Sequence, residues 1–269
     1  MTGLLVITPT LGESPWLGET VASVAAQPAV RRHVLVAPAA AVGELARRFP
    51  RTEVVAEPGG GMYAAINAGL AAAGEWDAFT YLNDDDLLLP DFARVASALA
   101  AAGSAPAIVY GGVRLVDARG RRIGAIPISP FPRLNRALYA QRLEPVYQHG
   151  TLVSRTELAR LGGFDATFRY CGDSEFLARA CVEGVRFVCA TTRAVAAFRV
   201  RAGQLTKNRA ALVEERRRVD EKLGLLAPPP AMRRLGARLA FRASNFLHYV
   251  ERIARHGLVS FDELLERVE

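Results

Sequence analysis

Tyr81-Leu82-Asn83-Asp84-Asp85-Asp86-Leu87 sets three consecutive carboxylates directly behind a short apolar run. Ala78, Phe79, Tyr81 and Leu82 read as a buried strand bounded by polar residues, so the aspartates emerge at its carboxyl end. Open α/β sheets keep their ligands at that end. Adjacent aspartates repel one another and suit neither helix nor strand, so they need either a counter-charge or a turn to hold them. A divalent cation supplies the first, because Mg²⁺ and Mn²⁺ take oxygen ligands and leave positions for water or phosphate. A solvated acidic turn capping a helix that starts near Pro90 supplies the second. Taken alone, the stretch leaves both open.

Upstream of it, residues 3–8 (GLLVIT) form an apolar run, residues 9–15 a loop, and Leu17, Val21, Val24 and Ala25 recur at helical spacing. His33 to Ala37 reads as a second strand, Val42 to Phe49 as a helix and Thr52 to Ala56 as a third strand. Strands alternating with helices of this length indicate a mostly parallel, doubly wound sheet with right-handed crossovers. Glu57-Pro58-Gly59-Gly60-Gly61-Met62-Tyr63 then turns into a helix over Ala64 to Ala73. Gly59, Gly61 and Ala64 meet a loose dinucleotide fingerprint, but that fingerprint belongs after the first strand of its unit, where this chain has Pro9 and Thr10. As a plain turn before a helix it still offers backbone amides to a phosphate.

Downstream, Pro90 to Ala102 reads as a helix, Ala107 to Tyr110 as a buried strand, and Val113 to Ile126 as an antiparallel hairpin about Ala118-Arg119-Gly120. Residues 127–146 carry Pro127, Pro130, Pro132 and Pro145 and read as an irregular loop, a lid or an acceptor-binding wall. His149 to Val153 enters a strand, Arg155 to Leu161 a short helix, and Gly162-Gly163-Phe164-Asp165 a sharp turn. Asp173 and Glu175 then open another helix, where the macrodipole and capping favour a carboxylate.

A chain of 269 residues suits one large domain, or one with an appendage, and 51% hydrophobic with 23% charged residues is ordinary for a globular protein. Cys171, Cys181 and Cys189 are too few for a disulfide framework and lack zinc-site spacing, which fits a reducing, cytoplasmic setting. No secretory signal is read, since Leu4 to Thr8 is already a strand. The uncharged interval Val95 to Val113 is broken by glycine and proline and does not read as a membrane span. The net charge of +7 is concentrated near the C-terminus, where six arginines against Glu251 leave +5 between residues 230 and 256. No nucleic-acid motif accompanies it, so nucleic acid is not an expected partner.

The order of parts resembles the family 2 inverting glycosyltransferases of GT-A fold, over roughly residues 3 to 208. VITPT at 6–10, EPGGGMYAAINAGL at 57–70, YLNDDDLLLP at 81–90, VYGGVRLVD at 109–117 and LGGFDATFRYCGDSEFLAR at 161–179 carry the resemblance. It implies an α/β, Rossmann-like GT-A domain over 1–206, with a mixed, mostly parallel sheet flanked by helices, and a C-terminal helical extension over 207–269. It implies hexosyltransferase-like transfer from a nucleotide-diphosphate sugar to a saccharide or lipid-linked acceptor hydroxyl, in cell-surface polysaccharide or glycoconjugate synthesis, with a divalent metal (Mn²⁺ or Mg²⁺) as cofactor. By the same resemblance Asp86 is the metal ligand and Asp173 the general base. Thr8, Pro9, Thr10, Gly61, Asn67, Asp84, Asp85 and Arg201 are implied donor contacts, Arg201 through the diphosphate. Two departures fall on the donor side: Ala37 stands where relatives often carry an acid after the second strand, and Ala64 where many have an aspartate. A nucleotidyltransferase is an alternative, though Pro9 to Pro15 lacks the basic residues that hold a triphosphate. A degenerate member that only binds sugar nucleotide or a partner protein is another.

His149, between the irregular loop and the next strand, suits either a site-lining or a hydrogen-bonded structural role. Trp16 and Trp76 read as packing residues. Glu214-Glu215-Arg216-Arg217-Arg218 offers helical charge pairs on a solvated face, and Leu225 to Pro230 a hinge. Ala231 to Arg255 reads as one basic amphipathic helix. Packing on the catalytic domain, a homodimer contact, and peripheral attachment to the inner face of a membrane all account for it.

Overall fold

The computed structural model describes residues 3–103, 105, 107–201, 204, 208–225, 230–259 and 263–264. The expected boundary at 206/207 and most of the proline hinge, 226–229, lie outside the described residues. The first half alternates as its sequence dictates: β1 (Leu4–Pro9), α1 (Leu17–Ala25), β2 (Val30–Ala37), α2 (Ala39–Arg48), β3 (Glu53–Ala56), α3 (Met62–Ala72) and β4 (Ala78–Tyr81). β1 pairs in parallel with both β2 and β4, and β2 with β3. β4 is buried throughout, as expected of a short apolar strand covered on both faces. Ile7 stands beside Tyr81 in register, so β1 and β4 end together and release the Pro9–Pro15 loop and the aspartates side by side.

The acidic loop passes through β5 (Leu87–Leu88) into α4 (Phe92–Ala101), followed by β6 (Ile108–Val116) and β7 (Arg122–Ile126). These two form the expected antiparallel hairpin, with β6 longer than its sequence suggests. The stretch 127–146 is less irregular than its prolines imply, because it holds α5 (Asn135–Tyr139). β8 (Thr151–Ser154), α6 (Arg155–Leu161) and α7 (Gly172–Val182) follow as anticipated. β9 (Phe187–Arg199) does not: it is the longest strand described, and nothing in its Ala- and Thr-rich sequence shows the alternation that marks a strand. It runs parallel to β6 and antiparallel to β5, completing the sheet order β3-β2-β1-β4-β8-β6-β9-β5 with β7 on β6.

The C-terminal part is built into the domain. α8 (Arg209–Lys222) contributes Val219 to the main core, which also holds Phe79, Phe164 and Phe176. The single helix expected over 231–255 is two, α9 (Ala231–Ser244) and α10 (Phe246–His256). Asn245 makes the break: it is 2% exposed, its Nδ2 donates to the carbonyls of Ile128 and Phe241, and its Oδ1 accepts from Ile128 N–H. Holding that amide outweighs helix continuity. No helix among the described residues is long and apolar enough to cross a membrane.

Candidate active site

Three segments far apart in sequence meet at the carboxyl ends of β1 and β4. The Pro9–Pro15 loop and α1 hold the aspartates from one side. Thr10 Oγ1 donates to Asp84 Oδ2 at 2.5 Å, Ser14 Oγ to the Asp84 carbonyl at 2.9 Å, and Thr20 Oγ1 to the Asp86 carbonyl at 2.9 Å. The end of β9 holds them from the other. Arg199, 1% exposed, donates its backbone N–H to Asp86 Oδ1 at 2.9 Å, Nε to the Asp85 carbonyl at 2.8 Å and Nη2 to Glu19 Oε2 at 2.7 Å. Arg201 Nε donates to Asp85 Oδ2 at 2.5 Å. Both guanidinium groups lie over the Trp16 ring, at 5.4 and 5.5 Å, so Trp16 packs as expected and also spaces the two arginines.

The three aspartates are therefore not equivalent. Asp84 is half-buried, whereas Asp85 is 4% and Asp86 0% exposed. Burial pushes the Asp84 carboxyl above its ordinary value, with the Thr10 hydroxyl and Arg201 opposing. Burial and then Asp86 push Asp85 up to about 6 against the pull of Arg201. Asp86, the metal ligand implied by the sequence, has one oxygen taken by Arg199 N–H and the other by Asn83 Nδ2 at 3.0 Å, with His149 Nε2 at 3.3 Å. Buried and engaged in this way, Asp86 serves the frame of the loop, and Asp84 and Asp85 stand nearer the solvent. His149 is 7% exposed, and although burial alone would lower its pKa, Asp86 and then Asp173 and Asp85 raise it. Three carboxylates thus favour its protonated form against the cost of burial.

Asp173 lies at the start of α7, half-buried, in a cleft lined also by Phe79, Tyr81, Gln148, Thr151 and Phe176. Burial, then Glu144, lift its pKa above the ordinary carboxylate range, while the Ser174 amide, His149 and the Tyr63 hydroxyl oppose. Tyr63 Oη donates to Asp173 Oδ1 at 3.1 Å from the first turn of α3. The approach is close because residue 172 is glycine. A Cβ there would stand 2.5 Å from Tyr63 Cε2. Gly172→Ala is thus expected to cost roughly 1–3 kcal/mol of stability in overpacking. It should also raise the acid limb of any activity carried by Asp173, since losing the tyrosine hydrogen bond disfavours the carboxylate. Tyr63→Phe should reproduce the second effect and not the first; a Gly172→Ala melting curve matching the parent would show that Tyr63 yields without cost.

The loop before Asp173 is latched from α8. Glu215, 8% exposed, accepts from the backbone N–H groups of Arg169, Tyr170 and Cys171 at 2.7, 2.7 and 2.8 Å. Glu144, from the 127–146 stretch, accepts from Ser174 Oγ and from Arg216 Nη1, both at 2.6 Å. No sequence motif marks either glutamate.

The other implied donor contacts divide. The Thr8 hydroxyl is fully buried and bonds His33 Nε2 at 2.9 Å, inside the sheet. Pro9 ends β1 half-buried. Asn67 spends its amide on the Gly162–Asp165 turn, donating to the Phe164 carbonyl at 2.8 Å and accepting from Phe164 N–H at 3.1 Å. Gly59, Gly60 and Gly61 all take positive φ, between +82° and +94°, a backbone that presents amides ahead of α3 and that side chains rarely adopt. Ala37 is buried with Leu17, Leu35 and Leu45. Among the described residues no three His, Cys, Asp or Glu side chains form a ready-made metal cage.

The glycosyl transferase family 2 sequence profile matches residues 5–161. No curated protein sequence matches the chain. Among solved structures, S. aureus TarS 1–349 in complex with UDP-GlcNAc superposes with TM-score 0.63 at 16% identity, over 99% of this chain and 82% of that one. A further S. aureus TarS crystal structure gives TM-score 0.59 at 16% identity over 97% of this chain, which spans 46% of that chain. The mannosyltransferase PcManGT from Pyrobaculum calidifontis, in complex with GDP-Man and Mn²⁺, gives 0.58 at 18% identity, over 94% of this chain and 73% of that one. With the profile spanning more than half of the sequence, the chain belongs to glycosyl transferase family 2 and is a glycosyltransferase, and the superpositions show the GT-A fold.

Proposed function

We propose that the protein moves a sugar from a nucleotide-diphosphate sugar to a hydroxyl of a saccharide or lipid-linked acceptor, with inversion at the anomeric carbon, in cell-surface polysaccharide or glycoconjugate synthesis. The observation that carries the reading is the pairing of two kinds of carboxylate in one site. Asp84 and Asp85 sit crowded beside Arg201, and Asp173 sits apart in an apolar cleft with a raised pKa. Asp173 is the base. Its Oδ1 is occupied by the Tyr63 hydroxyl, so its other oxygen takes the acceptor proton as the acceptor oxygen attacks. The aromatic lining excludes water that would otherwise compete as acceptor.

On the donor side, Arg201 brings a guanidinium to the place where diphosphate charge gathers, and the glycine turn at 59–61 brings backbone amides. The residues fit a divalent cation such as Mn²⁺ or Mg²⁺: an all-oxygen set of few protein ligands, in which burial and then the neighbouring Asp86 push the Asp85 carboxyl up to about 6. Asp84 and Asp85 would hold it in place of Asp86. When bound, such a cation neutralises charge developing on the departing nucleoside diphosphate.

Thermal melts with UDP, GDP, dTDP and CDP, each with and without Mn²⁺, test the donor side. One nucleotide is expected to stabilise the protein only with metal, by about 2.7 kcal/mol at a hundredfold excess over its Kd. Asp85→Asn should lose that metal-linked gain. Without ligand it should be the more stable protein above pH about 6, because a raised carboxyl pKa means stability lost as pH rises through it. Failure of every nucleotide to shift the melt with or without Mn²⁺ would leave a protein that binds no donor, and an equal shift without Mn²⁺ would remove the metal.

A further inference from the structure

The C-terminal helices present a surface that the transfer site does not use. Met232, Leu235 and Leu239 on α9, then Phe246, Leu247, Val250 and Ile253 on α10, recur at helical spacing and are all exposed, Phe246 by 63% and Leu247 by 76%. The inward sides of both helices already have partners. Ala237 and Phe241 pack with Ala137 and Leu138 of α5, Glu251 pairs with Arg122 at 2.6 Å, and His256 Nε2 meets the Ile123 carbonyl at 2.7 Å. The exposed stripe is thus not an unfinished part of the core. Arg233, Arg238, Arg242 and Arg255 are exposed among it, within the segment of charge +5.

Beside α10 opens a pocket of about 290 Å³ lined by Arg114, Arg122, Arg193, His248, Asp91 and Thr192. Arg122 is paired with Glu251 and Asp91 with Arg94, so it is Arg114 and Arg193 that make the pocket a site for an anion. Arg114 Nε and His248 Nδ1 are buried there with no hydrogen-bond partner among the described residues. Buried polar atoms left unpaired are costly, and an oxyanion would satisfy both. His248 lies in sequence between Leu247 and Tyr249, so one helix supplies both a wall of the pocket and the exposed apolar stripe. A free phosphate would use only the first of these; a phospholipid uses both.

We infer that α9 and α10 dock the protein on an anionic phospholipid surface, apolar residues entering the interface and a lipid phosphate seated against Arg114, Arg193 and His248. The inference is independent of the donor chemistry proposed above. Full-length protein is to be co-sedimented with vesicles of phosphatidylcholine alone and of phosphatidylcholine and phosphatidylglycerol in equal parts. Binding is expected to the mixed vesicles only and to weaken with salt. Arg114→Ala and Arg193→Ala should each lower partitioning about fivefold, and the pair Phe246→Ser with Leu247→Ser should abolish it. Metal-linked nucleotide melts of these variants should match the parent. Equal binding to neutral vesicles, unchanged binding by the variants, stabilisation by inorganic phosphate without vesicle binding, or a dimer that the Phe246/Leu247 pair dissolves would each overturn it.

Discussion

Asp173→Asn is expected to lower the transfer rate by about 10²- to 10⁴-fold, the range for loss of a positioned general base, while leaving metal-linked nucleotide binding near that of the parent. The amide is nearly the same size as the carboxylate and its oxygen can still accept the Tyr63 hydrogen bond, so the start of α7 should not move. What it lacks is a basic oxygen. Because the folded protein raises the Asp173 pKa, through burial first and Glu144 second, the charged form is disfavoured in the native state. Stability from that shift is present below the ordinary carboxylate pKa and is lost as pH rises through the folded value. Asparagine mimics the protonated form at every pH, so the variant should melt at or above the parent at neutral pH. The parent's rate should fall on the acid side through a pKa above the ordinary value of about 3.9. Full transfer by Asp173→Asn, or an acid limb at the ordinary value, would place the base elsewhere.

Glu215→Ala is expected to destabilise the protein by roughly 3–5 kcal/mol, a drop in Tm on the order of 10 °C. One carboxylate accepts the N–H groups of Arg169, Tyr170 and Cys171, and alanine leaves three donors in a largely enclosed place without an acceptor. The same loop delivers Asp173, so kcat should fall well beyond what the lost stability explains while nucleotide affinity changes little. Glu215→Gln, which keeps one acceptor oxygen and the shape, should fall between the two. Melting and kcat indistinguishable from the parent in Glu215→Ala would mean that the loop is held by its neighbours instead.

Glu215 also marks where the sequence stops being legible. In Glu214-Glu215-Arg216-Arg217-Arg218 the charges read as a solvated face, and for Arg217 that is right, since it pairs with Glu214 and Glu221 in the open. Its neighbours Glu215 and Arg216 turn inward to the Asp173 loop and to Glu144, and helical spacing alone does not tell which way a charge faces when the partner lies some 45 residues away. The acidic loop was readable because its cause is local: an apolar strand ends and aspartates begin. The fold of the first half was readable for the same reason, through the alternation of strand and helix periods. Which aspartate faces outward was not, because Arg199, at the end of a strand without strand-like alternation, decides it. The Tyr63–Asp173 contact spans 110 positions and rests on a missing Cβ at Gly172. The nucleotidyltransferase alternative falls to the family match.

The latch has a consequence for the order in which the protein becomes competent. Asp173 leaves the ribosome 42 residues ahead of Glu215, roughly 2–8 s at ordinary synthesis rates. In that interval the sheet strands β1 to β8 are already made, but the loop that aims Asp173 has no acceptor for its amides. If Asp173 is the base proposed above, a nascent chain holds a formed acidic loop before it holds an aimed base, and chemical competence arrives only once α8 has emerged and closed over the loop.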